Sequence, residues 1–259
     1  MRLQKGAWFR SMVLLGLVIF GSLGIAAFRG LSQTAPMNCV QIYFDSESRD
    51  QLASGKAFAQ QLRGLLAPYI GYAIHSSRIA DYQSGEVHRC DKNIYVGTHF
   101  DHRVPRVFVE DFMNSKGSVA WFGYNIWQMG PRLENEMGLR FLRMARQEFT
   151  GFFDEVLYEG GFFKKTGKTL AEQVELLPSD MSKFSMLAES RNSVTREIVP
   201  YIVQSKNRFY VADVPTLGEA PNHISLMFTE VLARFMEGRV SEPSSKQGKL
   251  IAASESKRH

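Results

Sequence analysis

The sequence lacks the short motifs that mark the commonest nucleotide sites, nucleophiles and metal centres. It has no Gly-x-Gly-x-x-Gly after a predicted strand, and the stretch GGFFKKTGKT has Phe162 where a phosphate loop needs glycine. A Gly-x-Ser-x-Gly elbow and the His-x-x-x-His and His-Glu-x-x-His zinc patterns are also absent. These absences exclude the best-marked nucleotide-binding, serine-hydrolase and zinc-protease chemistries.

Cysteine is scarce: Cys39 and Cys90 are the only two. Each stands just ahead of a predicted strand, over 40–44 and 94–97. If those strands are parallel neighbours, a disulfide at one edge of the sheet would close a loop of about 50 residues, worth roughly 4 kcal/mol. An export signal favours this pairing over a redox or metal role. Two unrelated buried thiols are the alternative.

Acidic residues are missing from residues 1–30, which carry four basic ones, and residues 239–259 hold five basic and two acidic residues. The remaining 22 basic and 24 acidic side chains leave residues 31–238 close to neutral. A nucleic-acid-binding protein concentrates positive charge on its folded body. The charge pattern therefore argues against a nucleic-acid partner.

Residues 11–28 form an uncharged apolar run between Arg10 and Arg29. As a helix the run would be about 27 Å long, close to the thickness of the hydrocarbon core. The preceding basic residues hold the N-terminus in the cytoplasm and place the body in the periplasm or outside the cell. A cleaved signal peptide is the alternative, but small residues suited to cleavage are poorly placed, so we expect a retained transmembrane anchor.

The body alternates strand and helix patterns. Strands are expected over 40–44, 72–79, 94–97 and 118–127. Ser48 and Gln51 have capping-box spacing before a helix with one apolar face, and Pro105 suits the first turn of the next helix. Leu133, Met137, Phe141, Met144 and Ala145 predict a further helix. This alternation predicts a three-layer α/β domain with a mostly parallel sheet.

The second half has a different pattern. Short strands are expected over 155–164 and 174–177, and a β-hairpin over 195–204 and 208–214. Asn222 is expected to cap a final helix whose face is Ile224, Phe228, Val231, Leu232 and Phe235. The predicted organisation is an anchor over 1–30, a linker over 31–37, an α/β domain over 38–237 and a disordered polar tail over 238–259.

Two polar groups follow predicted strands. His99, Asp101 and His102 offer imidazole and carboxylate ligands for a divalent metal such as zinc, with Asp45 or Asp213 as a further ligand. The alternative is a polar loop that binds no metal.

Tyr124, Asn125 and Trp127 follow the next strand. Aromatic faces and an amide suit sugar rings or a partner surface, but Trp and Tyr near strand ends are more often ordinary core residues.

The segments YVGTHFD, VAWFGYNIWQM and FYVADVP, followed by the helix with LMFTEVLARFM, resemble exported polysaccharide-deacetylase-related bacterial proteins. The likeness covers residues 38–237. It implies their N-terminal domain, with a glutamine-amidotransferase-like or flavodoxin-like sheet. The deacetylase barrel, which holds that family's metal ligands, would begin where this chain ends, so none of those ligands carries over.

We therefore expect a non-catalytic accessory or binding domain in cell-envelope polysaccharide modification or export, without a cofactor. Its partner would be an envelope polysaccharide or a protein that modifies or exports one. The expected ligand-binding residues are Asp45, Asp101, Tyr124, Asn125 and Trp127. The alternatives are a metal-dependent, deacetylase-like hydrolase that uses His99, Asp101 and His102, and a remnant of a larger deacetylase.

Overall fold

The computed structural model describes residues 37–146, 153–165, 172–213 and 222–239. The strands are β1 (Met37–Phe44), β2 (Ala73–Arg78), β3 (Cys90–Gly97), β4 (Ser118–Gly123), β5 (Leu139–Arg146), β6 (Glu155–Tyr158), β7 (Gly161–Lys164), β8 (Glu172–Pro178), β9 (Ser185–Arg191), β10 (Ile198–Ser205) and β11 (Arg208–Val211). The α-helices are α1 (Arg49–Leu66), α2 (Arg106–Met113), α3 (Pro131–Met137) and α4 (Asn222–Glu237).

Nine strands form one sheet in the order β2-β1-β3-β4-β11-β10-β9-β6-β7. The first five of these strands are parallel, and the pairings from β11 to β7 are antiparallel. β5 and β8 pair in a separate two-stranded sheet. The architecture confirms the predicted α/β class.

Helices lie on both faces of the parallel strands. Tyr43, Tyr95 and Trp121 stand in one row across β1, β3 and β4. The Phe108 ring of α2 lies within 6.4 Å of each of their ring centroids. Side chains alternate along a strand, so Phe44 faces the opposite side, where Gly55 of α1 lies against it.

The start of α1 confirms the predicted capping box. Ser48 Oγ accepts a hydrogen bond from Gln51 N at 3.2 Å, and Gln51 Oε1 accepts one from Ser48 N at 3.0 Å. The helix turns Leu62 and Leu66 into the core, as its spacing predicts. The local signal fixes where α1 begins, directly after the loop that ends β1.

The predicted disulfide between Cys39 and Cys90 is present, and the two cysteines are 51 positions apart in the sequence. It joins the amino-terminal halves of β1 and β3, which are parallel neighbours. Both cysteines lie within these strands and not ahead of them, because β1 and β3 begin earlier than predicted. Closing a loop of this length stabilises the fold by about 4 kcal/mol in the chain-entropy model.

Two predicted elements extend too far along the chain. The strand expected over 118–127 ends at Gly123, because Gly123 and Asn125 take positive φ angles of 75° and 71° that turn the chain into a 3₁₀ helix over Ile126–Met129. The helix expected to reach Ala145 ends at Met137, because Gly138 takes a φ of 67°. Phe141 and Met144 therefore lie in β5.

The predicted hairpin is confirmed as β10 and β11, joined at Lys206 and Asn207. The segment expected over 155–164 is itself a hairpin of β6 and β7. β9 was not predicted, because SMLAESR shows neither a continuous apolar run nor a strict alternation. Phe228, Val231, Leu232 and Phe235 of α4 are buried as expected.

Some predictions fall outside the described residues: the anchor, residues 31–36 of the linker, the tail beyond Arg239 and the side chains of Asn222 and Ile224. Within the described residues, no helix combines the length and the apolar character that crossing a membrane requires.

Candidate ligand-binding site

The strand order places a crevice at the carboxyl ends of β1 and β3. The chain leaves β1 for β2 on one side of the sheet and later adds β3 on the other, so connections diverge at this point. In open α/β sheets, ligands bind at such a point. Asp45 follows β1 directly, and Thr98 and His99 follow β3.

Asp45 is fully buried and anchors the loop after β3. Its carboxylate accepts hydrogen bonds from the Tyr95 hydroxyl at 2.6 Å, Thr98 N at 2.8 Å and His99 N at 3.2 Å. Burial raises the pKa of Asp45, and the hydrogen bond from Tyr95 opposes part of that rise. The carboxylate thus ties two neighbouring strand ends together.

His102 lies between two carboxylates and its side chain is only 1% exposed. Its Nε2 is 3.6 Å from Asp45 Oδ1, and its Nδ1 is 3.4 Å from Glu47 Oε2. Neither ring nitrogen makes a hydrogen bond within the described residues. Because its two nitrogens face different carboxylates on opposite sides of the ring, His102 bridges the loop to the segment before α1.

The proposed metal ligands do not converge. His99 Nδ1 is 2.8 Å from Thr98 Oγ1, while Asp101 is exposed and takes a left-handed φ of 58°. His102 turns inward to Asp45. In the part of the chain that the structure describes, no group of three or more His, Cys, Asp or Glu side chains is arranged to hold a metal ion.

The segment after β4 holds the loop after β3 in place through side-chain hydrogen bonds. Asn125 Nδ2 donates to the Tyr95 hydroxyl and to the His99 carbonyl, both at 3.1 Å. Gln128 Oε1 accepts from Val104 N at 2.9 Å, and Gln128 Nε2 donates to the His102 carbonyl at 2.5 Å. The two sequence blocks that carry the candidate residues are therefore one structural unit.

Three aromatic rings line up beside the loop; we call Phe100, Trp127 and Phe141 the aromatic ledge. The ring centroid of Trp127 lies 5.2 Å from that of Phe100 and 5.1 Å from that of Phe141. Phe100 is 49% exposed, and the other two rings are half-buried. The ledge therefore presents aromatic surface to solvent beside a loop that side-chain hydrogen bonds hold in place.

Tyr124 is half-buried and directly follows β4, three residues before Trp127. Its backbone N–H donates to the Gly97 carbonyl at 3.0 Å, and its carbonyl accepts from Trp121 Nε1 at 2.7 Å. A Cβ on Gly97 would lie 2.5 Å from the Tyr124 carbonyl oxygen, so only glycine permits this close approach. The position of Tyr124 is thus fixed by its backbone.

The structure brings the predicted ligand residues to one edge of the sheet but gives them different environments. Asp45 and Asn125 are buried and hold the loop, whereas Tyr124 and Trp127 are partly exposed and Asp101 is exposed. The sequence reasoning missed Gln128, although it lies in the GYNIWQM block. It also missed Phe100, which lies between His99 and Asp101, and placed Phe141 on a helix.

No protein-family model matches the chain, and no curated protein matches it in sequence. Among solved structures, a ThuA-like protein from Bacteroides uniformis ATCC 8492 matches with a TM-score of 0.51 at 12% identity, over 80% of this chain and 94% of that one. The exo-β-1,4-mannosidase Op5Man5 from Opitutaceae bacterium strain TAV5 has a TM-score of 0.45 at 11% identity, over 86% of this chain and 38% of that one. At 12% identity, the likeness to the ThuA-like protein shows a shared fold alone.

Proposed function

We propose that the chain is a membrane-anchored, extracytoplasmic carbohydrate-binding domain that acts in cell-envelope polysaccharide modification or export and is not an enzyme on its own. The observation that carries the proposal is the aromatic ledge at the carboxyl ends of the parallel strands. The ligand is an envelope polysaccharide, presented alone or by a protein that modifies or exports it.

The chemistry of the ledge suits a sugar. The C–H faces of a sugar ring are apolar and pack on aromatic rings, which provide a large contact area at little cost in side-chain entropy. The hydrogen bonds of Asn125 and Gln128 hold the loop in place before a ligand arrives. Such preorganisation reduces the entropy lost on binding.

The location outside the cytoplasm has two independent supports. The Cys39–Cys90 disulfide is typical of proteins in oxidising compartments. The apolar run over residues 11–28 supplies an export signal and a membrane anchor.

The resemblance to polysaccharide-deacetylase-related proteins is the reason for proposing a role in the cell envelope. The same resemblance implies a flavodoxin-like or amidotransferase-like fold for the domain. The order β2-β1-β3-β4-β11 of the parallel strands supports it, because flavodoxin-like sheets have the order 2-1-3-4-5.

A metal-dependent hydrolase that uses His99, Asp101 and His102 remains the alternative. It requires the loop to reorganise, because the His102 side chain is 1% exposed and is turned to Asp45. Metal analysis of the purified full-length protein tests it. Stoichiometric zinc that is lost in His99→Ala would support the hydrolase, and a metal-free, fully folded protein would rule it out.

The binding proposal is tested by titrating the full-length protein, purified in detergent, with neutral β-1,4-linked glucose oligomers and N-acetylglucosamine oligomers in a calorimeter. We expect Trp127→Ala to weaken binding at least about tenfold, since central aromatic contacts often contribute more than 1 kcal/mol.

The matched control is Phe162→Ala. Phe162 is exposed to about the same extent as Phe100 of the ledge, and it lies on β7, at the far end of the sheet from β3 and β4. Its removal should leave the affinity unchanged. The proposal is wrong if no oligomer binds, or if both variants weaken binding to the same extent.

A further inference from the structure

The turn that leads into β2 presents an isoleucine almost completely to solvent. Residues 67–72, with the sequence APYIGY, connect α1 to β2, and we call them the apolar turn. Ile70 is 95% exposed, the largest exposed fraction among the large apolar side chains of the described residues. The aromatic ledge lies at the opposite edge of the sheet, so carbohydrate binding does not explain this exposure.

Two tyrosines hold the apolar turn on the body of the domain. Tyr72 N donates to the Tyr69 carbonyl at 3.0 Å. The side chains of both tyrosines are partly buried and pack against the core. The Tyr72 hydroxyl also donates to Asp91 Oδ2 at 3.4 Å. Ile70 therefore projects from a turn whose neighbouring aromatic side chains fix it to the sheet.

The apolar turn lies at the edge of the sheet where the parallel strands begin, which we call the amino edge. Ala73, the first residue of β2, pairs with Cys39 near the start of β1. Residues 29–36 separate the apolar run over residues 11–28 from β1, and eight residues extend over at most about 29 Å. The length of this linker therefore keeps the start of β1 close to any membrane that holds the apolar run.

The amino edge carries more basic than acidic side chains. The four residues that precede each of β2, β3, β4 and β11 include Arg89, Lys116 and Lys206, and Glu86 is the only acidic residue among them. Glu86 Oε1 lies 3.7 Å from Arg89 Nη1, whereas Lys116 and Lys206 are exposed to solvent. This charge is complementary to anionic lipid headgroups, which attract exposed Lys and Arg side chains.

We propose that the amino edge contacts the membrane surface, with Ile70 inserted among the lipid headgroups and Lys116 and Lys206 facing anionic lipid. This inference rests on the membrane anchor of the proposed function but not on its carbohydrate ligand. Tyrosine rings are favoured at the interface between membrane and water, and apolar side chains are favoured just below it. Tyr69, Ile70 and Tyr72 have this arrangement in the apolar turn.

In this orientation the aromatic ledge faces away from the membrane. The ledge lies at the carboxyl ends of the parallel strands, and β1 and β3 each have eight residues, which corresponds to about 26 Å. A polysaccharide outside the membrane then reaches the ledge without contact with the lipid.

The test measures where an exposed apolar position at each edge lies relative to lipid. Ile70→Cys and Val194→Cys variants of the full-length protein are labelled with an environment-sensitive fluorophore and placed in nanodiscs that contain phosphatidylglycerol. The label is selective, because Cys39 and Cys90 are joined in the disulfide. We expect the probe at position 70 to emit at shorter wavelength than in water and to be quenched by brominated lipid.

Val194 is the matched control, because it is 83% exposed in the turn between β9 and β10. β10 is antiparallel to β11, so this turn lies at the carboxyl edge, and its probe should show neither change. Nanodiscs of phosphatidylcholine alone should reduce the quenching at position 70, since Lys116 and Lys206 then lack an anionic partner.

A probe at position 70 that stays in water while the protein is held in the nanodiscs would overturn the inference and leave the anchor and the ledge intact. Equal quenching of both probes would overturn the orientation. Undiminished quenching without phosphatidylglycerol would overturn the role given to the two lysines. Failure of the protein to enter nanodiscs at all would overturn the anchor, and with it both the inference and the membrane part of the proposed function.

Discussion

Asp45 and Lys165 are both buried near the carboxyl ends of the parallel strands, but their surroundings differ. Asp45 receives hydrogen bonds from one hydroxyl and two backbone N–H groups, which offset part of the cost of its burial. Lys165 has the Asp213 carboxylate at 3.7 Å and the face of the Tyr201 ring. Burial therefore disfavours the charged form of Lys165.

The lowered pKa of Lys165 gives the stability of the protein a measurable dependence on pH. Burial lowers the pKa from 10.5 to about 8, although Asp213 opposes the shift. Between about pH 8 and pH 10.5 the unfolded chain binds more protons at this position than the folded chain, so this residue makes stability rise with pH. A shift of this size corresponds to roughly 3 kcal/mol across the window.

We predict that Lys165→Met abolishes this rise and stabilises the protein at pH 7. The check is urea unfolding at intervals from pH 7 to pH 10.5, compared with the wild-type protein and with Lys183→Met. Lys183 is partly exposed and pairs with Asp180, so its replacement should leave the pH profile unchanged. A Lys165→Met profile that parallels the wild-type profile would contradict the assignment.

At the scale of elements, a local signal predicted the start of α1, but none predicted the change from helix to strand after α3. Ser48 and Gln51 are three residues apart and determine the start of α1. Phe141 and Met144 continue the apolar spacing of Leu133 and Met137, yet they belong to β5. The break is at Gly138, whose left-handed backbone ends α3, and no periodicity of apolar residues reports it.

We predict that Gly138→Ala destabilises the protein by about 2 kcal/mol or more. Alanine at a φ of 67° costs about 1–2 kcal/mol, and its methyl group would also collide with the Asp180 carbonyl and force a backbone shift. The measurement is the free energy of unfolding in urea.

Gly64→Ala provides the opposite control. Gly64 lies within α1, and a Cβ there would meet no other atom within 4 Å. Alanine should therefore stabilise the helix by about 0.5–1 kcal/mol. Equal effects of the two substitutions would show that the backbone at Gly138 is not what ends α3.

At the scale of the whole molecule, the sequence predicts at which edge of the sheet the candidate site lies. It does not predict which side chains contact one another there. The βα alternation and the polar residues after each strand point to the carboxyl edge, and the structure brings them there. The bond from Tyr95 to Asp45 joins residues 50 apart in the chain. Its formation depends on which strands are neighbours, and the inward turn of His102 depends on where Asp45 lies.

The roles of individual residues within the site were the harder part to predict. Asn125 was a candidate ligand, and the structure shows that it holds the loop after β3. Gln128 performs the same task through two bonds to backbone groups. The sequence does not identify Phe100 as a site residue. It lies between polar residues in a loop that turns at Asp101, and neither helical nor strand periodicity applies to such a loop.

The central claim is that the aromatic ledge binds carbohydrate, and the most direct measurement observes Trp127 itself. The chain has three tryptophans: Trp127 is half-buried, Trp121 is fully buried, and Trp8 lies in the N-terminal segment. Full-length protein labelled with 5-fluorotryptophan should give three ¹⁹F signals, which single Trp→Phe variants assign. On titration with neutral oligosaccharide, we predict that the Trp127 signal shifts in a saturable manner while those of Trp121 and Trp8 stay in place. Saturable binding that leaves the Trp127 signal unmoved would contradict the account, as would the absence of any binding.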